Sequence, residues 1–195
     1  MKNWLIFIAI LYCFCSCKKE KVETDSNALY RSAFHGTYKL VSSYSDKAID
    51  VNLDGEASID MLREIERLSE SFVQIKVTTY INELTTGISF AQAWSEQYFV
   101  RDNKTTEDVS DYDPAVSVTY LLQPASGALT IDTFQRTLEV KSDVFSNTSR
   151  TLTLPFDASF QYENDKVKKL TLVTKKPLYT SNGIISVRIT SIYQR

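Results

Sequence analysis

From residue 70 onward, apolar and polar side chains alternate with period two, the signature of strands that bury one face. Val73, Ile75, Val77 and Ile81 share one side of a run, with Gln74, Lys76, Thr78 and Asn82 opposite. Ile88, Phe90 and Trp94 repeat the pattern, as do Val116, Val118, Tyr120 and Leu122. Leu129 and Ile131 follow a turn expected at Pro124-Ala125-Ser126-Gly127, and Leu138 and Val140 then alternate with Thr137, Glu139 and Lys141. Leu152, Leu154 and Phe156 form a further run in which Pro155 predicts an edge or a bulge. Phe160 and Tyr162 lead into Asn164-Asp165, a hairpin-turn signal, and Leu170 and Leu172 follow it. Ile185, Val187, Ile189 and Tyr193 come after Ser181-Asn182-Gly183. With an opening run from Tyr38 to Tyr44, the pattern makes about nine or ten strands at short spacing, which argues for an antiparallel barrel or sandwich. One short helix is expected over residues 59–69, where Met61, Leu62, Ile65 and Leu68 form an apolar stripe with Arg63, Glu64, Glu66 and Arg67 outside it. The chain has only five glycines, few for a tightly coiled closed barrel, so a sandwich or a partly open barrel stays open.

The start of the chain has a different pattern. Lys2 precedes an uncharged run from Trp4 to Cys15. That run is shorter than the roughly 20 helical residues needed to cross a bilayer. It has the layout of an export signal. Phe14-Cys15-Ser16-Cys17 resembles the lipobox of bacterial lipoproteins, with Phe14 where leucine is usual. The resemblance implies cleavage after residue 16, acylation of Cys17 and a membrane partner reached through that lipid anchor. The alternative is a plain secretory signal with incidental cysteines. All three cysteines of the chain are at 13, 15 and 17, so the domain that follows has no thiol and its stability rests on its core. Residues 18–33 are polar and mostly aperiodic and read as a flexible tether, leaving 34–195 as the β domain. Lys18-Lys19 lacks the aspartate that holds related lipoproteins at the inner membrane. That similarity favours the outer membrane and leaves periplasmic or surface exposure open.

Charge narrows the partners. The whole chain carries a formal −2, and about −3 once Lys2 leaves with the signal. No basic face is evident in the sequence, which argues against nucleic acid. The single histidine, His35, excludes zinc sites built from Cys and His.

Residues 36–62 resemble the opening of lipocalin-like domains found in many Gram-negative lipoproteins. Gly36-Thr37-Tyr38 matches the Gly-x-Trp start of their first strand, with Tyr38 in place of tryptophan. A loop, a short helix and a run of strands follow in both. The resemblance implies a mainly β, antiparallel lipocalin-like fold, with an arginine near the chain end, Arg188 or Arg195, against that first aromatic.

The sharpest chemical pattern is Asp50-x-Asn52-x-Asp54-Gly55, continued by Ser58 and Asp60. Oxygen side chains at alternate positions before a glycine are what a calcium loop needs. Met61 stands where a bidentate glutamate would complete an EF-hand, and Asp60 would have to substitute. The competing reading is an Asx-rich turn that caps the helix. Calcium is thus the one candidate cofactor.

Other groupings are weaker. His35 lacks any nucleophile-elbow partner, and Asp102, Glu107, Asp108, Asp111 and Asp113 read as a solvated acidic loop, so no catalytic residue is expected. If the fold encloses a cavity, Phe90, Trp94 and Tyr120 would line it and an apolar small molecule would be its cargo. The sequence reading is therefore a lipid-anchored, non-enzymatic cell-envelope protein that binds a small ligand or an envelope protein. The alternative is a structural or assembly protein with a filled β core.

Overall fold

The computed structural model describes residues 26–79, 86–102, 104–106, 109, 111–142, 155 and 157–195. The chain is mainly β, and its described residues form ten strands in one antiparallel sheet. They are β1 (Gly36–Ile49), β2 (Ser58–Asp60), β3 (Phe72–Thr79), β4 (Thr86–Arg101), β5 (Lys104–Thr106), β6 (Ser117–Asp132), β7 (Thr137–Ser142), β8 (Asp157–Glu163), β9 (Lys166–Thr180) and β10 (Gly183–Gln194). From β1 the order runs β3, β4, β6, β7, β8, β9, β10, and β10 pairs back onto β1 to close a ring. β2 pairs with the later part of β1, and β5 flanks β4. β7 meets β8 through one described pair, Thr137 with Ser159.

The alternation read from the sequence is the alternation of this ring. Tyr38, Ile75, Phe90, Leu170, Leu172, Ile189 and Tyr193 are all under 2 % exposed and fill its inside. The Asn164-Asp165 turn forms as expected, both residues taking the left-handed φ (51° and 58°) of a two-residue hairpin. Ile81, Asn82 and the Leu152–Phe156 run, Pro155 apart, lie outside the described residues.

Three expectations are corrected. Residues 124–127 make no turn. β6 runs through them, with Pro124 opposite Ala93 and Gly127 opposite Phe90. What changes there is facing: Tyr120 is buried before this point, and Ala125, Gly127 and Leu129 after it. Gly127 is required by the close approach of β7, because a Cβ there would overlap the Lys141 carbonyl oxygen.

The helix expected over 59–69 is shorter. β2 ends at Asp60, α2 spans only Met61–Glu64, and a 3₁₀ turn covers Leu68–Glu70. Arg67 takes a left-handed φ of 61° and breaks the run. The apolar stripe survives the break, since Met61, Ile65 and Leu68 are buried.

Part of the stretch expected as a flexible tether is helical. Ser26–Phe34 forms a helix, here called α1. Nine residues are too few for a helix to persist in water alone, so packing must hold it. Phe34 meets Phe160 edge to face at 5.0 Å and Tyr162 at 5.9 Å, and Tyr30 lies 6.1 Å from Phe34. Ala33 is buried beside them.

The ring thus has two distinct ends. One carries α1, the β6–β7 and β8–β9 hairpins and Arg195, linked by Phe160 N–H to Arg136 O and by Arg195 to the His35 carbonyl. Of the two candidate arginines, Arg195 is the one that covers Tyr38. The other end carries the 50–57 loop, α2, residues 111–116 and the Ser181-Asn182 turn. There Tyr120 bonds Val51 and Tyr179 bonds Asp113.

Candidate functional site

The aspartate loop at this second end folds on its own backbone. Asp50 accepts from Asp54 N–H at 3.1 Å and from Gly55 N–H at 3.0 Å, one bond to each carboxylate oxygen. Asn52 Oδ1 accepts from Asp54 N–H, and Asp54 Oδ1 accepts from Glu56 N–H at 2.8 Å. Ser58 Oγ accepts from Asp60 N–H, and Asp60 caps α2 by accepting from Leu62 N–H, each at 3.0 Å. Gly55 (φ 87°) makes the sharp turn that this curl needs. Among the described residues, no group of three or more Asp, Glu, His or Cys is arranged to hold a metal ion.

Behind the loop sits a residue the sequence pattern placed outside. Glu64 is only 2 % exposed. Its Oε2 accepts from Val51 N–H at 2.9 Å, so the carboxylate ties α2 to the end of β1. Burial pushes its pKa above the ordinary value, the Val51 and Asn52 N–H groups oppose that, and the Asp50 and Asp54 charges add to it. Period-3.6 reasoning on a helix that is in fact one turn long assigned Glu64 to solvent.

A groove of about 480 Å³ opens beside Glu64. Val51, Asn52 and Leu53 form one wall, Leu62 to Ser69 another, and Val116, Val118 and Tyr120 of the β6 region a third. The Tyr120 hydroxyl donates to Val51 O at 3.1 Å, and burial pushes its pKa up to about 12, so it stays a donor at neutral pH. Leu53, Val116 and Val118 also pack with Val109, Phe99 and Tyr179 in a small apolar cluster, and Val118 touches the main core as well.

The inside of the ring is not wholly apolar. Gln92 Nε2 donates to the Tyr193 hydroxyl at 2.7 Å, and the Ser43 and Ser191 hydroxyls share a hydrogen bond at 3.0 Å. Lys176, with a side chain 4 % exposed, pairs with Glu96 and lies 5.1 Å from the Trp94 ring centroid. Trp94 Nε1 is buried without a hydrogen-bond partner among the described residues. Carrying the Leu170–Leu172 parity forward through Thr174 reaches Lys176, so the alternation held a signal for this buried cation.

The other residues singled out from sequence fall as follows. Phe90 and Trp94 are buried core residues, and only Tyr120 of the three proposed ligand contacts lines the groove. His35 is exposed, its Nδ1 accepting from Val77 N–H at 3.3 Å. Asp113 pairs with Arg101 at 2.5 Å, while Glu107 and Asp108 lie outside the described residues. Cys17 also lies outside them. No helix among the described residues is long and apolar enough to cross a membrane.

No protein-family model, no curated protein and no solved structure matches the chain.

Proposed function

We propose that this chain is a lipid-anchored, non-enzymatic protein of the cell envelope, held at the outer membrane through Cys17, whose lipocalin-like β domain binds a small ligand with apolar and polar groups in the groove beside α2. The observation that carries the binding half is the groove itself. It is of ligand size and lies at the end of the ring opposite α1, where Leu53, Leu62, Val116 and Val118 supply apolar contacts beside Asn52, Arg63, Glu66 and Arg67. Fully buried side chains such as Phe90, Leu170 and Ile189 occupy the ring's inside. A cargo is therefore better placed in the groove than in the lumen. The same filled core supports the second reading, an assembly protein that works through its surface.

The test is mass spectrometry of small molecules that stay with the detergent-extracted protein, compared with a Val118→Trp variant. A co-purifying molecule lost from the variant, with the melting temperature kept, supports the groove. A molecule retained equally by both, or none at all, rejects it in favour of the surface reading. Intact mass of the Cys17 peptide tests the anchor separately.

A further inference from the structure

We propose that the α1 end of the ring seats on a phospholipid bilayer, with Phe134 as its apolar tip and surrounding lysines and arginines as contacts for anionic headgroups. The proposal deepens the lipid-anchor reading, on which it rests for the choice of a membrane as the surface. Its footing in side chains is independent of that reading.

Phe134 is the tip of the β6–β7 hairpin and is 96 % exposed. The turn beneath it is well built. Asp132 Oδ1 accepts from the N–H groups of both Phe134 and Gln135, at 2.9 and 2.8 Å, and Arg136 takes a left-handed φ of 58°. A fixed turn thus holds a phenyl ring out in water. Lone exposed apolar residues need no explanation, but this one has company. Leu29 of α1 is 56 % exposed at the same end, and Tyr162 is 37 % exposed.

The charge at this end also differs from the rest of the molecule. Arg136 shares the turn with Phe134, and Lys166, Lys168 and Lys169 stand on the neighbouring β8–β9 hairpin. Arg195 reaches the same place, its N–H bonded to the Lys168 carbonyl at 3.2 Å. The nearby acids are Asp132, whose carboxylate holds the turn, with Glu163 and Asp165. The end is therefore cationic on a chain whose formal net charge is −2. A membrane surface is the partner that takes an apolar tip and a cationic rim together. Its anionic headgroups attract each nearby lysine or arginine enough to change partitioning about fivefold.

The chain path agrees. Cys17 precedes Ser26, the first residue of α1, by nine positions, a reach of about 30 Å at most when fully extended. An acylated Cys17 would keep this end, and not the groove, against the bilayer. The groove then opens away from it.

The experiment uses the full chain with Phe134→Trp, reconstituted into phosphatidylcholine vesicles with and without phosphatidylglycerol. Some acyl chains are brominated to quench buried indole, and the unsubstituted chain supplies the background from its own tryptophans. The expected result is a blue-shifted emission quenched by bromolipid, more strongly with phosphatidylglycerol, and lost when Lys166→Glu, Lys168→Glu and Lys169→Glu are added. Circular dichroism confirms that the variants fold, and mass spectrometry reads the state of Cys17 in the same sample. Quenching with unmodified Cys17 keeps the docking and removes the anchor. No quenching with acylated Cys17 overturns the docking while the anchor stands. No quenching with unmodified Cys17 overturns both.

Discussion

The guanidinium of Arg195 lies over the ring of Tyr38, 5.5 Å from its centroid, joining the last residue of the chain to the first strand. Arg195 Nη1 also donates to the His35 carbonyl at 2.7 Å and Nη2 to the Ala33 carbonyl at 3.4 Å. The Tyr38 hydroxyl donates to the Phe34 carbonyl at 2.7 Å. Together they donate to carbonyls at and just past the C-terminal end of α1, which the helix cannot satisfy itself. Arg195→Ala is expected to destabilise the domain by about 2 kcal/mol, the low end of the sum of an exposed cation–π contact and a charged hydrogen bond, because both are open to water. Arg195→Lys should recover less than half, because an ammonium cannot cover the ring and reach both carbonyls. Urea-denaturation midpoints of the three proteins check this.

Gly127→Ala should be among the most damaging single-methyl changes in the molecule. The new Cβ meets main chain of β7, which cannot swing aside as a side chain would. A loss of about 2–3 kcal/mol is expected from overpacking. Gly55→Ala meets nothing within 4 Å and suffers only from its φ of 87°, so thermal melts should place it well above Gly127→Ala.

Glu64 sets a pH dependence. Its folded pKa lies above the ordinary 4.5, so the folded state holds the proton more tightly than the unfolded chain. Its contribution is then fully present below about pH 4.5 and is lost as pH rises through the raised folded value. Glu64→Gln keeps an acceptor for Val51 N–H without the charge. The variant should lose that part of the decline in stability with rising pH, read as denaturation midpoints across the acid range.

The buried pair of Lys176 and Glu96 is asymmetric, with side chains 4 % and 25 % exposed. Removing the carboxylate strands the better-buried ammonium, so Glu96→Ala should cost about 3 kcal/mol. Lys176→Met leaves a carboxylate that water reaches and should cost about 1 kcal/mol. The double variant should be more stable than Glu96→Ala alone. Denaturation of the four proteins in a double-mutant cycle measures the coupling.

The aspartate loop separates calcium binding from capping. Asp50→Ala removes two backbone hydrogen bonds and is expected to cost about 1–2 kcal/mol in chelator, with no cation present. The unsubstituted protein should melt at the same temperature with and without millimolar calcium. A calcium-dependent rise abolished by Asp50→Ala would instead make Asp50, Asn52, Asp54, Ser58 and Asp60 a cation site.

Much of this architecture was legible because a ring with one buried face imposes period two along most of its strands. Val73, Ile75 and Val77 needed no further information. What escaped was set by tertiary contact. Ser26–Phe34 reads as polar linker until Phe160 and Tyr162 are there to receive Phe34. Glu64 reads as a surface acid until the N–H of Val51 arrives from another element. Pro124 to Gly127 has turn composition, yet the strand continues because β4 pairs along all four residues and β7 joins at Gly127. The groove was hidden for the same reason, since its walls come from three separated segments.

The seat of Arg195 against Tyr38 and the end of α1 has a practical consequence for anyone labelling this protein. A passenger fused after Arg195 would emerge between α1 and the lysine-bearing hairpin, crowding the surface that Phe134 shares. Inserted between Ser181 and Asn182, the same passenger would project from the opposite mouth and leave that footing untouched.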